Sequence, residues 1–196
     1  MLKKRVFIPL ALIILLLLAW VGYTKANINS SQTRGDIVDS LNGVVVYYNG
    51  GINQTSGRNL APDGYNLGIR WQCVEFVKRY YYEALGHKMP DTWGNAKDFF
   101  DPALSDGALN KQRNLIQFKN GGKTRPEVND LIVFAGHIGN PYGHVAIVSA
   151  VAEGEIEIVQ QNAGPFAPPR VRYDINYNRK GWTVLKSGTL GWLRLP

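Results

Sequence analysis

From Val6 to Thr24 the chain carries no charged side chain, and Lys3, Lys4 and Arg5 stand directly before that run. As a helix those residues rise about 28 Å, close to the hydrocarbon thickness of a bilayer. The run is apolar on every face, which does not suit a half-buried core helix. Trp20 and Tyr23 fall at its far end, where interfacial aromatics belong, and the basic triplet should stay cytoplasmic. A cleaved signal peptide is the alternative, but Thr24-Lys25-Ala26 is a poor small-x-small site. The expectation is an uncleaved signal anchor over residues 1–25, spanning the membrane through residues 6–24. The rest would then lie outside the cytoplasm, periplasmic or at the cell surface, or be secreted if the segment is cut.

The formal net charge of +7 is mostly a property of that flank. Lys3, Lys4, Arg5 and Lys25 account for four of the 22 basic residues, and the remainder is nearly balanced by 15 acidic ones. No Lys/Arg stripe with interleaved aromatics appears, so nucleic acid is not an expected partner. Hydrophobic residues make up 45% of the 196, enough to bury a core. Residues 26–35, ANINSSQTRG, are small and polar and read as a tether. No repeat or further composition shift divides 36–196, which reads as one domain. Oligomeric state is not legible.

Within that domain, Val44 to Tyr48 is a short β-branched and aromatic run ended by Asn-Gly-Gly. In GIRWQCVEFVKRYYYEALG, the residues Val74, Val77, Tyr81 and Leu85 recur at helical spacing, and Gly86 is a stop signal. The spacing predicts a helix over Gln72–Leu85. Residues 87–127 read as irregular, with one short helix near Asn95–Phe100. NDLIVFA, GHVAIVSAVA, EIEIVQQN and TLGWLRLP then read as strands. One early helix and a strand-rich second half imply α+β with an antiparallel sheet.

Cys73 is the only cysteine. It is either a small buried hydrophobe or a kept nucleophile. Its place in a first helical turn favours thiolate through free N–H groups and the helix dipole. Of three histidines, His87 follows a helix stop, His137 sits in a turn and His144 heads a strong strand. His144 is therefore a satisfied core ring or the base. A third group should orient the ring. Alternation in EIEIVQQN puts Ile156, Ile158, Gln160 and Asn162 on one face, and Asn162 is the expected orienter; Glu157, on the opposite face, is the rival. Asn162 could equally start a turn at Ala163-Gly164-Pro165. Glu75 reads as a dipole complement rather than an acid. Trp71 and Gln72 are placed to line an acyl site, although Trp71 could be core. The scattered histidines and single cysteine form no zinc-type set, and no metal or cofactor is expected.

RWQCVEFVKRYYYEALG, PEVNDLIVF, GHVAIV, IVQQN and GWLRLP, in that order, resemble the CHAP superfamily of cysteine, histidine-dependent amidohydrolases/peptidases. Within it the likeness is to amidase domains of glutathionylspermidine synthetase/amidase, and it covers about residues 60–196. The resemblance implies a papain-like α+β fold, with the nucleophile helix packed on an antiparallel sheet that bears the histidine. It implies Cys73 as nucleophile, His144 as base and Asn162 as third member, with Gln72 or Tyr65 as a second oxyanion donor beside the Cys73 N–H. The implied reaction is thiol attack on an amide. Peptidoglycan peptides are the first expected substrate. Another amide, such as a glutathione–polyamine conjugate or a protein isopeptide, is the alternative, and a catalytically silent binding module is a third.

Overall fold

The computed structural model describes residues 2–179 and 181–196, with side chains described for residues 9–22 and from residue 26 onward apart from residue 180. A helix, α1 (Leu2–Lys25), comes first. Among the described residues no helix is long and apolar enough to cross a membrane. The single-pass anchor, the membrane contact through residues 6–24 and the anchored location expected from the sequence therefore do not hold. The triplet Lys3, Lys4 and Arg5 and the flank Tyr23, Thr24 and Lys25 lie outside the described side chains.

Residues 27–34 lie along the domain. Tyr48 donates its hydroxyl to Asn27 Oδ1 at 2.7 Å, Asn29 Nδ2 donates to Pro165 O at 2.9 Å, and Arg34 Nη2 donates to Thr55 O at 3.0 Å.

Two small hairpins follow, β1 (Ile37–Leu41) with β2 (Val44–Tyr47), and β3 (Arg58–Leu60) with β4 (Asn66–Ile69). Helix α2 (Cys73–Leu85) comes next and ends as the sequence indicates. Gly86 takes the left-handed conformation at φ 64°, and the His87 N–H reaches back to Tyr81 O at 2.8 Å. Beyond it lie a 3₁₀ turn (Ala96–Phe99), β5 (Ala108–Asn110) and β6 (Leu115–Lys119). The region read as irregular thus holds two strands, too short and too punctuated to show alternation. β7 (Leu131–Phe134), β8 (His144–Val151), β9 (Glu155–Val159), β10 (Arg170–Asn178), β11 (Gly181–Val184) and β12 (Thr189–Arg194) complete the chain.

The eight later strands form one antiparallel sheet in the order β11-β10-β9-β8-β7-β12-β6-β5. Alternation sorts its residues into two cores. Val133, Val145, Ile147, Val159 and Leu193 meet Phe76, Val77, Tyr80 and Tyr81 of α2. Ile132, Ala146, Val148, Ile156, Ile158 and Trp192 pack on the other face with Ile175 and Val184. The central strands are buried on both sides, which is why they read as near-continuous apolar runs. The α+β architecture with the helix on an antiparallel sheet is as expected.

The second core is enclosed because the sheet curls. Trp182 N donates to Gly122 O, and Gly121 N to Trp182 O, both at 2.7 Å, so the β11 edge meets the segment after β6. Gly181 makes that approach possible: its φ is +136°, and a Cβ there would sit 2.0 Å from Gly122 O. Gly181→Ala should therefore cost about 2–4 kcal/mol, read as a lowered denaturant midpoint with an unchanged slope.

Candidate active site

Cys73 is the first residue of α2, after Gln72 in an extended N-cap conformation (φ −79°, ψ 159°) that carries no side-chain cap bond. The thiol is buried against β8. Burial pushes it up to about 11, while the backbone N–H groups of Val145, Val74 and Cys73 itself pull the other way. The Val145 N–H at the sulfur places the thiol beside the residue that follows His144 on β8.

His144 pairs with Phe134 in the sheet register, and its ring stacks on the Phe134 ring at 6.1 Å between centroids. Gly143 precedes it with φ +77°, and a Cβ there would lie 2.6 Å from Phe134 O, so this turn into β8 requires glycine. Burial pushes the imidazole down to about 4; the bond from Gln160 opposes this and Lys186 adds to it. His144 Nε2 lies 2.9 Å from Gln160 Oε1. Gln160 Nε2 donates to Pro168 O at 3.0 Å, so its oxygen faces the ring. That pairing assigns the proton to Nε2 and leaves Nδ1 as the basic nitrogen of the neutral ring. At neutral pH the pair is thiol and imidazole. The helix start does not ionise Cys73 unaided, because burial outweighs the dipole.

The ring's partner is Gln160, not Asn162. β9 ends at Val159, and Asn162 has φ 58°, so the alternation that would aim it at His144 is broken. Asn162 Nδ2 donates instead to Gln72 Oε1 at 2.7 Å and Ile52 O at 2.9 Å. The rival Glu157 is also elsewhere: Ser149 Oγ, Arg170 and Arg172 hold its carboxylate on the outer face of the sheet, at 2.9, 3.0 and 3.2 Å. Gln72 lines the cleft, but its amide already donates to Gln54 O at 2.6 Å and Ile52 O at 3.2 Å. Tyr65 is not brought to the thiol. Its hydroxyl accepts from Met89 N at 2.9 Å, and its ring stacks on Tyr82. Trp71 packs on Tyr47 of β2 with centroids 4.0 Å apart, away from the cleft wall.

Two buried groups fix the start of α2. Glu75 is fully buried, not a surface complement to the dipole. It accepts from Arg79 Nε at 2.7 Å, Asn59 Nδ2 at 2.8 Å and Gln161 Nε2 at 2.8 Å. Gln161 also donates to Gln72 O at 3.0 Å, and its oxygen accepts from Tyr47 N at 2.8 Å. One node thus joins α2, β2, β3 and the end of β9. Sequence reasoning passed over Gln160 and Gln161. For Gln160 the signal was present, since it shares the isoleucine face two residues before Asn162; for Gln161 only the fold reveals it.

A cleft of about 510 Å³ opens beside the thiol, with Cys73, Gln72, Val74 and Asn162 on one side and Trp93, Asn95, Asn140 and Tyr142 among the others. It can seat an extended peptide segment with a carbonyl against the sulfur. Removing the carboxylate behind it should loosen the whole site. Glu75→Ala leaves Arg79 buried without its partner and should destabilise the protein by about 3–5 kcal/mol in equilibrium unfolding.

The family model for the CHAP domain matches residues 63–162. Trypanothione synthetase of Crithidia fasciculata is 30% identical over 107 residues, covering 55% of this chain and 16% of that protein. The bifunctional glutathionylspermidine synthetase/amidase of Escherichia coli is 30% identical over 107 residues, covering 54% of this chain and 17% of that protein. The chain thus matches about a sixth of these relatives' length. The crystal structure of the wild-type endolysin LysIME-EF1 aligns with a TM-score of 0.41 at 21% identity, over 74% of this chain and 61% of that one. The matched region holds the Cys73 helix, the His144 strand and Gln160, and with half of the chain so covered, the chain belongs to the CHAP domain family of cysteine amidases and peptidases.

Proposed function

We propose that the domain over residues 36–196 cleaves amide bonds in peptidoglycan peptides by a Cys73–His144–Gln160 mechanism. The observation that carries this reading is the buried thiol at the Val145 N–H, one residue along the chain from a His144 ring whose Nε2–H is held by Gln160 at 2.9 Å, with Cys73 on the wall of an open cleft. His144 Nδ1 takes the thiol proton as the sulfur attacks the amide carbonyl. Gln160 Oε1 accepts from Nε2–H and steadies the imidazolium that forms. The first-turn N–H groups of α2, which have no intrahelical acceptor, face the developing oxyanion. His144 returns the proton to the leaving amine, and water, deprotonated by the same ring, releases the acid from the thioester.

The bland alternative, a buried structural cysteine, accounts for the raised thiol but not for a largely buried histidine held at one nitrogen by a glutamine. A second substrate class follows from the relatives' names. A soluble glutathione–polyamine amide would use the same machinery, and substrate tests part the two.

Incubation of the protein with purified peptidoglycan should release new amine ends, detected by mass spectrometry, and Cys73→Ala should release none. Release only from soluble glutathione–polyamine conjugates would move the assignment to that class. Gln160→Ala should lower kcat/KM by about a hundredfold while Asn162→Ala, whose amide props Gln72, should act mainly on KM. Equal kcat losses in the two variants would overturn the role of Gln160.

The pH profile follows from the same burial. The imidazole must be unprotonated to act, and it stays so until the pH drops through about 4. Activity should therefore hold from neutral pH down to about that value, instead of falling near 6.5 as with a solvated histidine.

A further inference from the structure

Uncharged residues, five amides and two aromatic rings among them, line the cleft beside Cys73, and among the described residues Arg58 is the only charged side chain on its wall. Arg58 lies on β3, exposed, and makes no ion pair among the described residues. Its guanidinium carbon sits 4.4 Å from the centre of the Trp93 ring. Its Nη1 donates to Asn66 Oδ1 at 3.0 Å. Those two contacts hold the fork in place while most of its five N–H donors remain for a ligand.

The acids around it are already engaged. Asp91 Oδ1 accepts from Trp93 N at 2.9 Å, Asp98 Oδ2 accepts from Asn95 N at 2.8 Å, and Asp63 pairs with Lys88. Behind the wall, Lys78 and Arg113 are buried and bonded to backbone carbonyls, with no ion pair to a carboxylate among the described residues. Burial and the nearby Arg113 and Arg58 charges depress the Lys78 ammonium to about 8, against the opposing pull of Asp91. Of the three cations on this side of the cleft, Arg58 is the one accessible to a ligand.

We propose that Arg58, seated on Trp93, binds a carboxylate of the substrate, so that the cleft selects acidic peptides over their amidated or cationic counterparts. A planar carboxylate matches the guanidinium fork in a way that a neutral amide cannot. Which bond is then cut rests on the amidase reading above; the binding preference does not.

The test uses the full chain carrying Cys73→Ala, which binds without turnover. Calorimetry compares a synthetic stem pentapeptide with free carboxylates against the same peptide with every carboxylate converted to carboxamide. The acidic form should bind about tenfold tighter or more. Adding Arg58→Met should erase that preference at unchanged melting temperature, and Arg58→Lys should keep part of it. Equal binding of the two peptides, no binding of either, or a preference that survives Arg58→Met would overturn the proposal. Turnover of the acidic peptide by the Cys73 protein is read separately by mass spectrometry. Preference without turnover sustains the subsite and sinks the stem-peptide reading, and turnover without preference does the reverse.

Discussion

The carboxylate of Glu75 is the interaction on which the site depends. It is fully buried in the first turn of α2, where an unpaired charge would be intolerable. Three donors from three parts of the chain satisfy it: Arg79 one turn along the helix, Asn59 from the β3–β4 hairpin, and Gln161 from just beyond β9. Gln161 passes the constraint on, since its amide also bonds Gln72 O and Tyr47 N. The residue before the thiol and the residue after the ring's partner are thereby fixed to one group. The distance between α2 and the sheet is then set by polar geometry as well as by the apolar contacts of Phe76, Val77 and Tyr81. Apolar packing tolerates sliding; a carboxylate with three defined donors tolerates much less.

That rigidity bears on the chemistry. Burial raises the thiol and lowers the imidazole, so the pair rests uncharged. An uncharged pair is a slow nucleophile until a carbonyl arrives with its own developing charge. In the proposed mechanism, proton transfer to Nδ1 then coincides with attack, and Gln160 stabilises the cation formed by it. A glutamine holds the tautomer and accepts one hydrogen bond without adding negative charge beside the sulfur. The cost is weaker stabilisation of the imidazolium than a carboxylate would provide; the benefit is a site that carries no net charge of its own into the cleft.

Much of the fold was legible in the sequence, and for identifiable reasons. The Cys73 helix had periodicity and a glycine stop, and β7, β8, β9 and β12 are apolar runs because both of their faces are buried. β10 was legible but not read. Its RVRYDINYN alternates Val171, Tyr173, Ile175 and Tyr177 with polar residues; Arg170 and Arg172 point outward and pair with Glu157 and Glu155. The N-terminal run carried the strongest hydropathy signal and led to an anchor that the described helix does not bear out. At the site, the Cys73 thiol meets the N–H of Val145, the residue after His144, but the partner of the ring is Gln160, two residues before the expected Asn162. Alternation is a property of a strand, and β9 ends before it. A single positive φ at Asn162 turns its amide toward Gln72 and leaves Gln160 facing the ring. Tyr65 and Trp71 are near Cys73 in sequence, yet pack against Tyr82 and Tyr47, because a helix start sends neighbouring residues in different directions.

The far wall of the cleft shows how buried charge can serve shape. Arg113 is almost wholly buried, and its guanidinium bonds Asp91 O, Trp93 O and Asp98 O at 2.6, 3.1 and 3.3 Å while lying over the Phe99 ring. Lys78 reaches Thr92 O at 3.0 Å and also holds Asn66 O. Together they gather carbonyls of β4 and of residues 91–98 onto two cations, and that is how a segment with little regular structure becomes a fixed wall. A lysine or arginine that met a carboxylate would neutralise itself there. These two meet carbonyl dipoles, which satisfy their N–H groups and leave much of their charge in place. The wall facing Cys73 is thus rigid, and Trp93, held by Arg113 from behind, presents its ring to Arg58 in front.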